Sequence, residues 1–333
     1  MSKYLVLGYF GYKTNQLDGQ TVKTRDLYKL IRQKTTDVSY YDTQEFKFNK
    51  LSIIKMFWQV IRCGTLIYLP AHNNLKYIFP IVYILSLVFR FDIHYYVVGG
   101  WLREYTATMP VHRYMLSKIK GIHVETATLK EELVKFYDFK NVDIFRNFRF
   151  FDFEPTRVSS DKLRLVFMAR INMMKGLDWI NEFANFVSSH NLDHKYNITF
   201  YGPINEEDND YFADMLQRFS FMEYRGVLQP EEIYEALNNH DVLLLPTHYY
   251  TEGLPGSIVD AYIAGIPVVV TNWKHAQEFV EDTKTGYIVP FEEGEQQFIE
   301  CLLSLESNRE LLYTLQCNAL EKRQEFAPPI LNL

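Results

Sequence analysis

Residues 246–271 read PTHYYTEGLPGSIVDAYIAGIPVVVT and follow an apolar run, Val242–Leu245, between Asp241 and Pro246. A short apolar run bounded by turn-forming residues predicts a buried strand of a parallel sheet. A polar loop then leads to Glu252-Gly253-Leu254-Pro255, and the apolar spacing from Gly256 to Ala264 predicts a helix. Gly265 and Pro267 stop that helix, and Val268-Val269-Val270 predicts the next strand. Pro255 falls where the first helical turn begins, a place where a missing N–H costs nothing. The N–H groups of Gly256 and Ser257 are then unpaired donors at the positive end of a helix dipole, a ready anion site.

Two acids flank this site: Glu252 just before the helix, and Asp260 eight residues on, in its second turn. On physical grounds alone the unit reads as a phosphate site at a strand end. The full string resembles the nucleotide-sugar signature of the family-four retaining glycosyltransferases of the GT-B fold. That pattern is Glu-x7-Glu, then Ala, a small residue, Gly, Pro-Val and a short strand. Glu252, Asp260, Ala261, Ala264, Gly265, Pro267 and Val268 stand in matching places, with Asp260 where the family usually has Glu. The resemblance implies that Glu252 hydrogen-bonds hydroxyls of the donor sugar and that Asp260 grips the ribose hydroxyls. Gly253, Leu254, Gly256 and Ser257 would supply the backbone that meets the nucleotide. Glu252 also fits a catalytic nucleophile, because carboxylates form glycosyl intermediates. It fits equally a carboxylate that stabilises the helix dipole by about 0.3–1 kcal/mol. Asp260, one methylene shorter than Glu, fits a solvated helix residue as well.

The companion stretch is Ala169-Arg170-Ile171-Asn172-Met173-Met174-Lys175-Gly176, which follows one expected strand and opens a helix. It resembles the family's Arg-x4-Lys-Gly element, whose Arg170 and Lys175 would hold the donor diphosphate. A departing nucleoside diphosphate gathers negative charge, and fixed cations aimed at it are worth about 3–4 kcal/mol each in a dry cleft. Arg225-Gly226-Val227 resembles the loop that receives the nucleotide base through main-chain groups. In the first half Asp18-Gly19-Gln20 sits where family members carry a Gly-Gly loop, which implies Gly19 against the phosphate, with Lys23 and Arg25 turned toward the acceptor. Gly99-Gly100-Trp101 stands where many members place a His near the reacting carbon, and neither His94 nor His112 fits that slot. Asn147 matches a recurring family asparagine of structural role, and His248, Tyr249 and Tyr250 crowd the approach to Glu252. The resemblance brings no metal and no Asp-x-Asp element; the expected cofactor is none, with a nucleotide-sugar as co-substrate.

Outward from these motifs, strands alternate with helices along the whole chain, which predicts doubly wound parallel sheets. The first series runs from Tyr4–Gly8 to Val142–Phe145 and the second from Leu163–Met168 to two closing helices. Asn147–Asp161, with Pro155 and Ser159-Ser160, breaks the rhythm. The expected organisation is an α/β protein of GT-B type, two Rossmann-like domains facing each other across a cleft. Residues 1–150 would form the acceptor domain, 151–161 a linker and 162–333 the donor domain. In family members the last helix often packs back on the first domain; here the chain stops soon after it, at Phe326–Leu333.

The chain has 333 residues, enough for two cores, and its 47% hydrophobic and 23% charged content is that of a globular protein. Cys63, Cys301 and Cys317 form no Cys-x-x-Cys pair and read as buried, inert thiols of a reducing compartment. Met1-Ser2-Lys3 leads directly into a strand with no leader. The apolar run Tyr77–Phe89, 13 residues long, is short of the roughly 20 needed to span a bilayer and reads as a buried or at most interfacial helix. Net charge is −6, yet residues 1–150 carry 22 Lys+Arg against 12 Asp+Glu, a net of +10. Such asymmetry predicts an anionic partner for the first half. No nucleic-acid motif accompanies it, so peripheral contact with an anionic membrane is the expectation, beside ordinary solvated faces.

Taken together, the resemblance implies a metal-independent retaining glycosyltransferase. It would move a sugar from a nucleotide diphosphate, UDP first, to a hydroxyl of a glycan or lipid-linked oligosaccharide in bacterial capsule, O-antigen or exopolysaccharide synthesis. Its expected place is the cytoplasm, peripheral on the inner face of the membrane. Asp260 and the missing His also fit a catalytically silent partner subunit that binds nucleotide or stabilises an active transferase, and a GT-B sugar epimerase is a third reading. Sugar, acceptor, linkage and oligomeric state do not follow from the sequence.

Overall fold

The computed structural model describes residues 3–157 and 159–331. Met1, Ser2, Asn332 and Leu333, as well as Val158 within the linker expected at 151–161, lie outside the described residues. The chain divides into two compact units, Met1–Phe148 with the tail from Pro328, and Arg149–Ala327. Each is built on one parallel sheet of six strands, as the alternation predicts.

In the first unit the strands are β1 (Tyr4–Gly8), β2 (Val38–Asp42), β3 (Thr65–Leu69), β4 (Asp92–Tyr96), β5 (Gly121–Val124) and β6 (Val142–Ile144), in the order β2-β1-β3-β4-β5-β6. In the second they are β7 (Leu163–Met168), β8 (Tyr196–Tyr201), β9 (Met222–Tyr224), β10 (Val242–Leu245), β11 (Val268–Thr271) and β12 (Gly286–Val289), in the order β12-β11-β10-β7-β8-β9. Strands such as YLVLG and VLLL are buried throughout, because helices cover both faces of a parallel sheet and leave no polar side. In each sheet the chain runs out to one side and returns to the other. The neighbours where direction reverses are β1/β3 and β7/β10, and loops beyond the carboxyl ends of such strands form ligand crevices.

The helix Gly256–Ile263 is buried along nearly its whole length, from Ile258 to Ile263. It packs into a core with Leu243, Leu245, Val268 and Val270 of the adjacent strands and Ala319 of the last helix, Arg309–Lys322. That last helix thus belongs to the second unit; only the tail from Pro328 groups with the first. The stretch expected as a linker is bound rather than free where it is described. Phe151 and Phe153 pack on the same core, and the Thr156 N–H donates to Asn238 Oδ1 at 3.0 Å. Arg157 donates to the carbonyls of Ala264 and Gly265, placing a cation on the negative end of the buried helix.

Four local expectations are corrected. The apolar run Tyr77–Phe89 is not one helix: its first residue ends the helix His72–Tyr77 and a second, Phe79–Phe89, follows, because Pro80 lacks an N–H and fits only the first turn of a new helix. Phe79–Phe89 is not a buried helix: it buries Phe79 and Val82 but leaves Ile84, Leu87 and Val88 59–66% exposed. Leu102–Thr108, after the glycine pair, is a helix that the sequence reading leaves out. Of the three cysteines only Cys63 is buried, its thiol pushed up to about 12 by desolvation, whereas Cys317 is exposed.

Candidate active site

The reversal between β7 and β10 brings together two stretches about 80 residues apart in the chain. After β7 the chain makes a 3₁₀ turn at Met173–Lys175, and Gly176 (φ +87°) opens the helix Leu177–Ser189. A Cβ on Gly176 would lie 2.1 Å from the Pro246 carbonyl oxygen, so only glycine lets this turn lie against the chain leaving β10. Two bonds tie the loops together: the His248 N–H donates to the Met174 carbonyl at 2.9 Å, and Thr247 Oγ1 to the same carbonyl at 3.3 Å. Gly176→Ala therefore combines a positive φ with a backbone clash. We expect it to destabilise the second unit by at least about 1–3 kcal/mol, read as a lowered urea midpoint.

At this junction Lys175 Nζ donates to Glu252 Oε2 at 2.5 Å, and the single Thr247 hydroxyl proton is shared between that oxygen, at 3.2 Å, and the Met174 carbonyl, at 3.3 Å. Both charged side chains are mostly buried, with 15% and 19% exposure, and Lys175 also lies 5.0 Å over the Tyr249 ring. Thr247 is itself held by Thr271 Oγ1 of β11, which donates to its carbonyl at 2.6 Å. Glu252 precedes the N-terminus of Gly256–Ile263, whose N-cap is Pro255, so Gly256 and Ser257 are its first N–H donors. Gly253 and Leu254 are buried beneath this turn, Leu254 with its side chain in the core. Arg170 is exposed on the loop just after β7 and makes no ion pair among the described residues. A helix N-terminus and a lysine shared with one carboxylate therefore meet at the strand ends, with Arg170 on the loop just after β7. Such an array suits an anion of several oxygens.

His248 is hydrogen-bonded, Nε2 lying 2.8 Å and 3.1 Å from the Asp178 carboxylate oxygens, with Trp179 edge-on at 5.6 Å. The Asp178 hydrogen bond raises its pKa. These contacts brace the loop.

Asp260 is placed differently from Glu252. Its carboxylate is 5% exposed and ion-paired with Arg149, whose Nε donates to Oδ1 at 2.9 Å and Nη2 to Oδ2 at 3.4 Å. The same guanidinium lies against Gly256, its Nη2 2.6 Å from where a Cβ would stand. Desolvation raises the Asp260 pKa and the Arg149 charge opposes it. Nothing in the sequence spacing links Arg149 to a carboxylate 111 residues away.

Arg225-Gly226-Val227 forms an exposed turn after β9. The Arg225 N–H donates to Phe200 at 3.0 Å, the Gly226 carbonyl accepts from Gly202 at 2.9 Å, and the Arg225 side chain pairs with Glu223 at 3.0 Å. Gly226 has φ +79°, and Val227 is 46% exposed.

In the first unit Gly19 starts the helix Gly19–Lys34 at the β1/β3 reversal, with open space around it, while Asp18 caps the helix by accepting from the Thr21 N–H. Lys23 and Arg25, expected toward the acceptor, are committed to contacts within the first unit. Lys23 is buried and donates to the Val97 carbonyl at 2.7 Å and Glu125 at 2.5 Å. Arg25 donates to the carbonyls of Phe10 and Gln16 and stacks on Tyr12. Glu125 also accepts from the Gly99 N–H at 3.3 Å, so the buried pair holds the Gly99-Gly100 turn in shape. Among the described residues no group of three or more His, Cys, Asp or Glu could hold a metal ion.

Residues 162–308 match the family described as "Glycosyl transferases group 1". WcaL of Escherichia coli (strain K12), named as a colanic acid biosynthesis glycosyltransferase, is 29% identical over 140 residues, 41% of this chain and 34% of WcaL. The amylovoran biosynthesis glycosyltransferase AmsK of Erwinia amylovora is 27% identical over 145 residues, 42% of this chain and 35% of AmsK. The chain spans about a third of the length of these curated relatives. Among solved structures, Anabaena HepE in complex with UDP and glucose superposes with a TM-score of 0.71 at 15% identity, covering 98% of this chain and 96% of HepE. Staphylococcus aureus TarM gives 0.62 at 17% identity, over 79% and 53% of the two chains. These likenesses establish the fold as GT-B.

Proposed function

We propose, from the premise that residues 162–308 are a glycosyl transferases group 1 domain, that this protein is a glycosyltransferase of bacterial surface polysaccharide synthesis. Its donor would be a nucleotide-diphosphate sugar, UDP-linked first, and its acceptor a hydroxyl of a glycan or lipid-linked oligosaccharide. The observation that carries the reading is the meeting of Lys175 and Glu252 at the β7/β10 reversal, directly before a helix N-terminus. The relatives' names in colanic acid and amylovoran synthesis support the pathway class, and the UDP of the HepE complex supports the donor class.

The diphosphate would lie over the first turn of Gly256–Ile263, its charge met by the Gly256 and Ser257 N–H groups, Arg170 and Lys175. As the glycosidic C–O bond breaks, the electron pair goes to the β-phosphate oxygen, where these fixed positive groups are worth most. They would serve in the place a divalent cation serves elsewhere, so transfer should proceed in chelator. Glu252, held by Lys175 and Thr247, would accept from sugar hydroxyls. The acceptor hydroxyl would attack on the face the diphosphate leaves, which retains configuration, and its proton would pass to the departing phosphate oxygen. The Arg225–Val227 turn would receive the base. Because a lipid-linked acceptor is membrane-borne, the enzyme would work at the cytoplasmic face of the membrane.

A thermal-shift panel of UDP, GDP, ADP and their sugars, with and without EDTA, tests the reading. A ligand at 100 times its dissociation constant adds about 2.7 kcal/mol. UDP-selective stabilisation that survives EDTA is expected; a flat response to every nucleotide would overturn the donor assignment.

A further inference from the structure

The helices Ser52–Val60, Phe79–Phe89 and Pro110–Leu116 cover one face of the first sheet. Met56 and Val60, Phe79 and Val82, and Met115 and Leu116 all enter one core with Leu5, Leu7, Leu66, Tyr68, Ile93 and Tyr95. The opposite surfaces of these helices therefore share one outward direction, and they are not polar. Ile54 is 65% exposed, Trp58 54%, Ile84 59%, Leu87 63%, Val88 66% and Tyr114 62%. Single exposed apolar residues are ordinary, but a contiguous set on neighbouring helices marks an interaction surface.

The charges on these helices and their flanks have one sign. From Phe46 to Phe91 the sequence holds Lys47, Lys50, Lys55, Arg62, Lys76 and Arg90 and no Asp or Glu, and Pro110–Lys118 adds Arg113 and Lys118 without an acid, while Lys120 beyond them is paired with Asp92. Three of these cations sit on the aromatic rings of the patch: Arg62 4.3 Å over Trp58, Lys76 5.2 Å over Tyr77 and Lys118 5.6 Å over Tyr114. Apolar side chains with aromatics beside them, rimmed by lysine and arginine, are the composition of surfaces that enter the headgroup–acyl boundary. We infer that this face of the first unit docks on an anionic lipid bilayer, with Ile54, Trp58, Ile84, Leu87 and Val88 inserting among acyl chains and the basic rim on lipid phosphates. Charge complementarity selects this occupant. A second copy of the same patch, paired about a two-fold axis, would set these cations against their equivalents. No helix among the described residues is long and apolar enough to cross a membrane, so contact with this leaflet is interfacial.

The docking surface is independent of the proposed transfer reaction, and vesicle binding needs neither donor nor acceptor. Co-sedimentation of the full chain with phosphatidylcholine vesicles, with and without phosphatidylglycerol, should show about tenfold or greater preference for the anionic vesicles, falling as salt rises. Ile84→Asp/Leu87→Asp, at exposed positions, should bind neither vesicle type while keeping the wild-type melting temperature and UDP response. Lys55→Glu/Arg62→Glu should lose the anionic preference. Equal binding of the wild type to both vesicle types, or wild-type binding by the aspartate pair, would overturn the inference. So would a dimer in sedimentation velocity that the aspartate pair dissolves while vesicles bind neither form, since the occupant would then be a second copy. Loss of the UDP response with vesicle binding intact would instead count against the donor reading alone.

Discussion

Lys175→Ala is expected to lower kcat for sugar transfer by roughly a hundredfold to a thousandfold, the usual cost of removing one preorganised donor from a developing oxyanion. Its Nζ sits 2.5 Å from Glu252, so the substitution removes two things at once. The phosphate loses a point charge, and the carboxylate that orients the sugar loses one of its two donors, keeping Thr247 at 3.2 Å. Lys175→Arg separates these effects, because a guanidinium keeps the charge but not the geometry. It should recover nucleotide affinity more fully than kcat. Steady-state kinetics with a radiolabelled UDP-sugar reads both. A loss confined to KM, with kcat unchanged, would assign Lys175 to uniform binding instead of the departing charge.

The second large effect is structural. Asp260→Ala is expected to destabilise the second unit by about 3–5 kcal/mol, since it strips a buried guanidinium of its carboxylate. Arg149→Ala should cost a similar amount for the complementary reason, as it leaves the buried Asp260 carboxylate unpaired. Arg149→Met/Asp260→Leu should be far milder than either single change, because no charge is then left desolvated. Urea midpoints of the four proteins test this, and single variants as stable as the double would show that the pair contributes little. The pair also bears on function. Asp260 reaches the helix start through Arg149, whose guanidinium lies against Gly256. Asp260→Asn should therefore alter nucleotide affinity less than Lys175→Ala does.

Much of this was legible in the sequence because the strands are near-continuous apolar runs punctuated by Gly and Pro, the mark of a covered parallel sheet. Lys175 and Glu252 were legible for a related reason: each follows such a strand and precedes a helix, and parallel topology sets those loops side by side. What spacing cannot show is which of two inward faces a helical cation takes. Lys23 and Arg25 lie on one exposed-looking helix, yet one is buried against Glu125 and the other clamps the Phe10–Gln16 loop. Arg149 was illegible because its partner is far away in the chain. The exposure of Phe79–Phe89 was hidden by its own composition, since a helix apolar all round carries no period to say which side meets the core.

Titration calorimetry of UDP into the wild type and Lys175→Ala, in EDTA, tests the assignment of the β7/β10 crevice most directly. One UDP per wild-type chain and at least about tenfold weaker binding by the variant, a difference of about 1.4 kcal/mol, is the predicted result. Equal affinity of the two proteins for UDP would place the nucleotide elsewhere and contradict it.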